Sequence, residues 1–264
     1  MVVKRTVSSI IVIAVVAMTL MVDWLCGLMA TVVILVGLYE FFTMLENKGM
    51  RIYKYFGMGI GAIIPLSIAF RFEPTKTWEL FFIVIALLFL IIMQLKRRQH
   101  SGTIVDISMT IFGILYVAWF GSFFVKIRYL PNGLLLLAGL IIITKLGDIG
   151  AFLVGSRFGR SPLIPRISPK KSVEGAIGGL VFSIGAALAS KVFLPFSYGH
   201  LVFLGAFLGA LGQVGDLSES LMKRDCQVKD SSNIIPGIGG VLDLIDSLLF
   251  TAPVFYFYLS ITLP

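Results

Sequence analysis

The sequence predicts an all-α, polytopic integral membrane protein with about nine transmembrane helices. The chain has 264 residues, of which 58% are hydrophobic and 14% are charged, and its mean hydropathy is +0.97. A soluble domain of this size could not bury that much apolar surface in a single core. Apolar stretches of about 20 residues, the length that crosses a bilayer as a helix, recur along the chain.

Nine apolar stretches are predicted to form these helices. They cover residues 6–22, 24–45, 55–72, 78–95, 103–123, 133–154, 176–193, 201–219 and 241–263. The connections are short except after the sixth and the eighth stretch. No soluble domain or internal repeat interrupts the pattern, so we expect one membrane-embedded domain over residues 1–264. Residues 131–264 are predicted to form the catalytic half, and residues 1–130 are N-terminal helices without an assigned role.

The distribution of lysine and arginine predicts the orientation of the chain. With the N terminus in the cytoplasm, the inside segments hold sixteen of these residues and the outside segments hold five. Cytoplasmic connections of membrane proteins carry the excess of positive charge. We therefore expect a multi-pass protein of the cell's inner, cytoplasmic membrane, with both long connections on the cytoplasmic side.

Ionisable residues gather at the predicted cytoplasmic ends of several stretches. Such groups are costly in lipid and usually face a site or a water-filled cavity. They are Asp106, Lys145, Asp148, Asp216, Glu219, Asp243 and Asp246. The last two are three residues apart and share a helical face, where their like charges repel unless a cation lies between them. Because no basic residue follows Gly240, we expect a hard cation such as Mg²⁺ at this pair.

Other features have simpler interpretations. Lys145 and Asp148 are also three apart, and both an internal salt bridge and a site role remain open for them. The two cysteines, Cys26 and Cys226, lack metal-ligand spacing and are interpreted as ordinary residues. The glycines of "GAFLGALGQVG", residues 205–215, indicate a close helix-packing face. Packing within one chain and a homodimer interface both remain open for that face.

The first long connection predicts a phosphate site. It contains "ISPKKSVEGAIGG", residues 167–179, and a dense group of cations that includes Lys170 and Lys171. Ser168 and Pro169 prevent a helix, whereas Ser172 and Glu174 are typical of the start of the next one. A helix that begins there would direct its backbone amides at a phosphate held by the lysines. The alternative is a positively charged connection that contacts anionic lipid headgroups.

The second long connection adds cations and glycines before the ninth stretch. It reads "SLMKRDCQVKDSSNIIPGIGGVLDLID", residues 220–246. Its glycines allow backbone to approach a ligand closely. Acidic metal ligands beside two cationic, glycine-containing connections are typical of a site for a polyphosphate with Mg²⁺. The G-x-x-x-x-G-K-[ST] pattern of P-loop proteins does not occur.

These residues resemble the signature of the phosphatidate cytidylyltransferases, also called CDP-diacylglycerol synthases. "GDIGAFLVGSRFG", residues 147–159, and "ISPKKSVEGAIGG" are similar to upstream blocks of that family. The resemblance covers the chain from about Lys145 onward. The family commonly has His where this chain has Ile238 and Arg where it has Leu244. We expect neither to be essential, because all the carboxylates and lysines of the pattern are present.

The resemblance implies the reaction of CTP with phosphatidic acid to give CDP-diacylglycerol and pyrophosphate. It implies Mg²⁺ bound by Asp216, Asp243 and Asp246, with a second, monovalent cation left open. The expected catalytic residues are Asp148, Lys223, Asp243 and Asp246. The residues expected to bind substrate are Arg157, Ser168, Lys170, Lys171, Arg224, Lys229, Asp230, Gly239 and Gly240. The expected partners are CTP, phosphatidic acid and membrane lipid, and no nucleic acid.

Two alternatives to this function remain at the level of sequence. A related enzyme could use CTP with another lipid phosphate, such as that of an ether lipid, because acyl and ether chains contact only apolar side chains. An ion-coupled transporter would also bury carboxylates. It would place them near the middle of the bilayer and would not require lysine-rich connections.

Overall fold

The computed structural model describes residues 2–72, 76–96, 102–237 and 239–262. The first half holds α1 (Val2–Leu20), α2 (Asp23–Asn47), α3 (Lys54–Ala69), α4 (Lys76–Leu95), α5 (Thr103–Gly113), a π-helical turn (Ile114–Trp119) and α6 (Phe120–Arg128). The second half holds α7 (Gly133–Phe158), β1 (Pro162–Ile164), β2 (Ser168–Ser172), α8 (Val173–Ala189), a 3₁₀ turn (Ser190–Val192), α9 (Tyr198–Asp225) and α10 (Val241–Thr262).

Each of the nine predicted stretches contains a helix, so the all-α membrane class is confirmed. Six helical segments of the described chain are long and apolar enough to cross a membrane: Asp23–Asn47, Thr103–Arg128, Gly133–Phe158, Val173–Val192, Tyr198–Asp225 and Val241–Thr262. Three shorter apolar helices of the described chain are Thr6–Leu20, Lys54–Ala69 and Phe81–Leu95. The count of nine spans and the orientation of the N terminus stay predictions.

The helices enclose two adjoining apolar cores. One is built around α6, α7, α9 and α10 and includes Phe123, Leu140 and Phe255, each at most 1% exposed. The other joins α2 to the π-helical turn and the start of α10, with Phe42 and Val117 fully buried. Because α10 contributes to both cores, the helix that carries Asp243 and Asp246 is held from both halves of the chain.

Glycines let the helices of the second half approach closely. A β-carbon at Gly175 of α8 would lie 2.9 Å from the Ala151 carbonyl oxygen and 3.0 Å from the Cα of Gly155, both on α7. A β-carbon at Gly215 of α9 would lie 2.7 Å from the carbonyl oxygen of Asp246 on α10. The glycines of residues 205–215 therefore pack within the chain, as one of the two interpretations predicted. The homodimer stays a prediction.

Contacts between connections divide the helix ends into two groups. At one end Arg224 Nε donates to the Ile167 carbonyl oxygen at 3.3 Å, and Lys48 forms an ion pair with Asp225. At the other end Arg128 lies 2.5 Å from Asp23, and the Tyr129 hydroxyl donates to the Ala69 carbonyl oxygen at 2.9 Å. The two long connections thus lie together at one end of the bundle.

The first long connection contains regular secondary structure. β1 and β2 pair as an antiparallel hairpin, with Pro162 opposite Ser172 and Ile164 opposite Ser168. The predicted helix start is confirmed, because the Ser172 hydroxyl accepts a hydrogen bond from the Gly175 amide at 3.1 Å. The Glu174 carboxylate accepts from the Arg160 and Ser161 amides at 3.0 and 3.2 Å, which ties the start of the hairpin to the start of α8.

Candidate active site

Lys145 and Asp148 of α7 are joined to α10 through Ser247. The Lys145 ammonium donates to the Asp148 carboxylate at 2.9 Å and to the Ser247 hydroxyl at 2.8 Å. The Ser247 hydroxyl lies 2.9 Å from the same Asp148 oxygen. The pair is therefore a salt bridge, and it also fixes α7 beside the residue that follows Asp246.

Asp243 is surrounded by donors from its own helix start and from α9. One carboxylate oxygen accepts from the Lys223 ammonium at 2.5 Å. The other accepts from the Ser231 amide at 3.0 Å and from the Gly240 amide at 2.8 Å. Lys223 also pairs with Glu219, which is fully buried. The positive charge at Asp243 thus comes from Lys223 on the preceding helix, whereas the predicted cation rested on the absence of basic residues after Gly240.

Asp246 and Asp216 are adjacent acidic groups of α10 and α9. Asp246 is only 6% exposed, and its carboxylate accepts from the Ser247 amide at 2.6 Å. It lies within electrostatic range of Asp216, Asp148 and Lys145. Asp216 is more exposed and pairs with Lys171 at 2.7 Å. The close approach of α9 and α10 at Gly215 brings these acidic groups together.

The oxygen donors at Asp216 and Asp246 fit a hard divalent cation. Mg²⁺ is usually held by one or two protein carboxylates together with substrate phosphates and water. Within the described ranges, no three His, Cys, Asp or Glu side chains form a group that could hold a metal ion. Both oxygens of Asp243 are occupied, by Lys223 and by backbone amides, whereas Asp216 pairs with Lys171 through Oδ1, so Asp246 and the Oδ2 atom of Asp216 fit best among the predicted ligands.

Asp216 and Asp246 together form the acidic group of the site. A cationic cleft of about 200 Å³ lies beside it. Its lining residues are Gly155, Gly159, Arg160, Pro162, Pro169, Lys170, Lys171 and Ser172. Since Ser172 caps α8, the amino end of that helix borders the cleft. Lys171 lines the cleft and also pairs with Asp216. Its side chain therefore connects the cationic cleft to the acidic group. Positive side chains at a helix start suit an anionic ligand.

The other residues predicted to bind substrate are not among the described residues that line the cleft. Arg157 is exposed with its guanidinium 5.9 Å from the Phe158 ring, and Arg160 lines the cleft instead. Ser168 pairs in the hairpin, and Arg224 donates to the carbonyl oxygens of Ile167 and Val228. Lys229 and Asp230 are exposed on the second long connection.

Gly239 and Gly240 lie against the Asp243 carboxylate. Gly239 has a φ of +125°, and a β-carbon there would lie 2.7 Å from an Asp243 oxygen. Gly240 donates its amide to that oxygen. Their role in the structure is to hold Asp243. Leu244, at a position where the family commonly has Arg, packs against the second apolar core. Ile238 lies outside the described residues.

Cys226 belongs to the second long connection and follows the last residue of α9. It is buried, and burial raises the pKa of the Cys226 thiol. A raised pKa lowers the fraction of reactive thiolate. Both observations agree with the interpretation of Cys226 as an ordinary residue.

Two buried polar residues of the first half, Glu40 and Tyr116, were not singled out by the sequence interpretation. Glu40 of α2 is 1% exposed and contacts the second long connection. An acidic residue in an apolar stretch was a visible signal for it. Tyr116, on the π-helical turn, is 3% exposed and lies within electrostatic range of Glu219 and Asp246. No sequence signal distinguished Tyr116 from the other aromatic residues of its stretch.

Comparisons with known proteins agree with the motifs. The chain matches the Cytidylyltransferase family over residues 3–262. It is 32% identical to a phosphatidate cytidylyltransferase of Synechocystis sp. over 292 residues, which covers 99% of this chain and 97% of that protein. It is 37% identical to proteins of the same name from Bacillus subtilis over 166 residues (62% of each chain) and from Staphylococcus aureus over 172 residues (64% of this chain and 65% of that one). The resemblance to this family is confirmed, and because the match extends over nearly the whole sequence, the chain belongs to the cytidylyltransferase family.

Proposed function

We propose that the protein transfers the cytidylyl group of CTP to phosphatidic acid and releases pyrophosphate. The observation that carries this proposal is the junction of the cationic cleft with the acidic group through Lys171, which pairs with Asp216 at 2.7 Å. A site of this composition can hold two polyanions side by side. The Synechocystis relative, which aligns along 97% of its length, is named a phosphatidate cytidylyltransferase, and this supports the same reaction.

The chemistry requires little proton transfer from the protein. An anionic oxygen of phosphatidate attacks the α-phosphorus of CTP, and the bond from that phosphorus to the β-phosphate oxygen breaks. Because the attacking oxygen is already ionised, no strong general base is needed. The obstacle is the mutual repulsion of two polyanions, which positioned positive charge offsets.

Different side chains are assigned to phosphate binding, to Mg²⁺ binding and to positioning. Arg160, Lys170 and Lys171 would bind phosphate oxygens in the cleft, together with the amino end of α8. Asp216 and Asp246 would hold Mg²⁺, which supplies further positive charge when bound. Lys223 holds Asp243 at the start of α10 and acts as a positioning residue.

The position of the site supports entry of substrate from one end of the bundle. The acidic group adjoins both long connections, which contact each other through Arg224 and Ile167. This differs from the central placement expected of an ion-coupled transporter. We propose that this end faces the cytoplasm of an inner-membrane protein, so that CTP enters from water and the lipid enters from the adjoining leaflet.

Incubation of the purified protein in lipid vesicles with labelled CTP, phosphatidate and Mg²⁺ tests the proposal. The expected product is a labelled CDP-lipid together with pyrophosphate, and omission of phosphatidate should abolish it. An ether-linked phosphatidate analogue in a parallel reaction distinguishes the two lipid classes. Absence of a labelled lipid in both reactions would overturn the proposal.

A further inference from the structure

Glu40 links the first half of the chain to the connection that precedes α10. It lies within α2, a helix of the half to which the motifs assign no role, and its side chain is 1% exposed. A carboxylate is costly to bury unless donors surround it. Its partners Ser231, Ser232, Val241 and Leu242 lie about 190 to 200 residues further along the chain.

Four donor groups surround the two oxygens of Glu40, and one of them, the Ser231 hydroxyl, shares its single proton between Glu40 and Asp243. One oxygen accepts from the Ser232 hydroxyl at 2.5 Å and from the Val241 amide at 3.0 Å. The other lies 3.0 Å from the Ser231 hydroxyl and accepts from the Leu242 amide at 2.7 Å. Val241 and Leu242 are the first two residues of α10, whose amides have no partner within the helix. Glu40 therefore caps α10 from another part of the chain and places a negative charge at its positive end.

The same contacts lead to Asp243. The Ser231 hydroxyl lies 3.0 Å from Glu40 and 3.0 Å from the Asp243 carboxylate. Asp243 in turn holds Lys223. Gly240 leaves room for this arrangement, because a β-carbon there would lie 2.6 Å from a Glu40 oxygen and 1.9 Å from the Ser231 hydroxyl oxygen. A continuous polar path thus runs from α2 to the acidic residues of α10.

We propose that Glu40 is a positioning residue of the active site. It fixes Ser231, Ser232 and the start of α10, and so sets where Asp243, and three residues later Asp246, lie relative to α9. The first half of the chain would thereby contribute to the reaction by positioning residues of α10. The inference rests on the proposed function for its effect on turnover, whereas the anchoring of the connection can be measured without any substrate.

Glu40→Gln is the informative variant because it keeps the size of the side chain. Each oxygen of Glu40 accepts from one backbone amide, so in either orientation the amide nitrogen of glutamine would face the N–H of Val241 or of Leu242 and leave it unsatisfied. Glu46→Gln on the same helix is the matched control, since Glu46 is more exposed and pairs with Lys54 at 3.1 Å, away from the connection. Ser232→Ala removes one of the four donors and serves as a milder variant if Glu40→Gln does not fold.

Two measurements on the full-length protein in detergent or vesicles test the proposal. Hydrogen exchange of residues 231–242 should become faster in Glu40→Gln and in Ser232→Ala, and should not change in Glu46→Gln. In the same Glu40 variant kcat should fall by about 10-fold or more, with the KM values for CTP and phosphatidate changed by less than about threefold, since charged hydrogen bonds of this kind are worth about 1.5–3 kcal/mol.

Each possible outcome decides one part of the inference. Unchanged exchange in both variants would show that Glu40 does not hold the connection. Faster exchange with wild-type kcat would show that the anchor is structural only. A wild-type protein that makes no CDP-lipid would overturn the proposed function, while the exchange measurement would still decide whether Glu40 anchors residues 231–242.

Discussion

Lys171 joins the cationic cleft to the acidic group, and its charge is therefore expected to matter in turnover. We predict that Lys171→Gln, and likewise Lys170→Gln, lowers turnover by about 10-fold or more, because a lost charged hydrogen bond to phosphate costs about 1.5–3 kcal/mol. Both variants should insert and fold normally. Initial rates with labelled CTP in vesicles measure the effect.

Lys96→Gln is the control for the two lysines of the cleft. Lys96 is exposed after the last residue of α4 and lies outside both long connections. If all three variants were equally active, the hairpin would be only a positively charged contact with lipid headgroups. The phosphate site would then have to be formed by residues 220–240.

Asp246 offers a test of the proposed Mg²⁺ site. Asp246→Asn keeps the shape of the side chain and removes its charge, so Mg²⁺-dependent turnover should fall by at least about 100-fold, the size typical of lost electrostatic stabilisation. The thermal unfolding temperature should change little. Rates measured over a range of Mg²⁺ concentrations provide the check, and a wild-type rate with an unchanged Mg²⁺ requirement would contradict the assignment.

Individual site residues differ in how far the sequence could predict them. Asp216, Asp246 and Lys171 were predicted because charges in apolar stretches and a lysine pair before a helix start are local signals. The partner of Asp243 was not predicted, because Lys223 reaches it from another helix. Glu40 carried the local signal of a charge in an apolar stretch, but its partners could not be predicted, since only the folded chain brings α2 beside Ser231 and Ser232.

At the level of elements, the contact between α7 and α8 supports the cleft. A β-carbon at Gly175 would meet backbone atoms of Ala151 and Gly155 at 2.9 and 3.0 Å. Backbone cannot move aside as a flexible side chain can, so Gly175→Ala should destabilise the protein by about 1–3 kcal/mol, the usual cost of overpacking. Thermal unfolding of the detergent-solubilised protein measures this loss.

Gly185→Ala on the same helix is the matched control for this contact. A β-carbon at Gly185 has no atom within 4 Å, apart from its chain neighbours and the helix's own nearby backbone. Alanine favours a helix over glycine by up to about 1 kcal/mol, so this variant should be neutral or more stable than the wild type. A loss of stability of equal size in both variants would show that helix propensity, and not the close approach, determines the effect.

The elements themselves were predictable to different degrees. Apolar length identified all nine helical stretches, because the requirement to satisfy backbone groups in lipid leaves few alternatives to a helix. The hairpin of β1 and β2 was predicted only as a connection that interrupts the helices. Its pairing depends on the ends of α7 and α8 being brought together, and on Glu174 binding the amides of Arg160 and Ser161.

For the whole molecule, the proposed site requires both long connections to lie on one side of the membrane. The structure places them together, through Arg224 and Ile167, at the end opposite the connection after α6. Single cysteines at Arg166 in the hairpin and at Lys229 in the second connection should therefore react with an impermeant thiol reagent from the same side. A cysteine at Pro131, in the short connection near Lys126, should react from the other side. All three positions are exposed.

Intact cells and inside-out vesicles distinguish the two sides in this experiment. We expect the cysteines at Arg166 and Lys229 to react only in inside-out vesicles and the cysteine at Pro131 to react in intact cells, as the excess of cytoplasmic lysine and arginine predicts. Both native cysteines are buried, so their background labelling should be small. If all three new cysteines reacted from the opposite sides, the orientation alone would be wrong. Reaction of the Arg166 and Lys229 positions from different sides would contradict a single site formed by both connections.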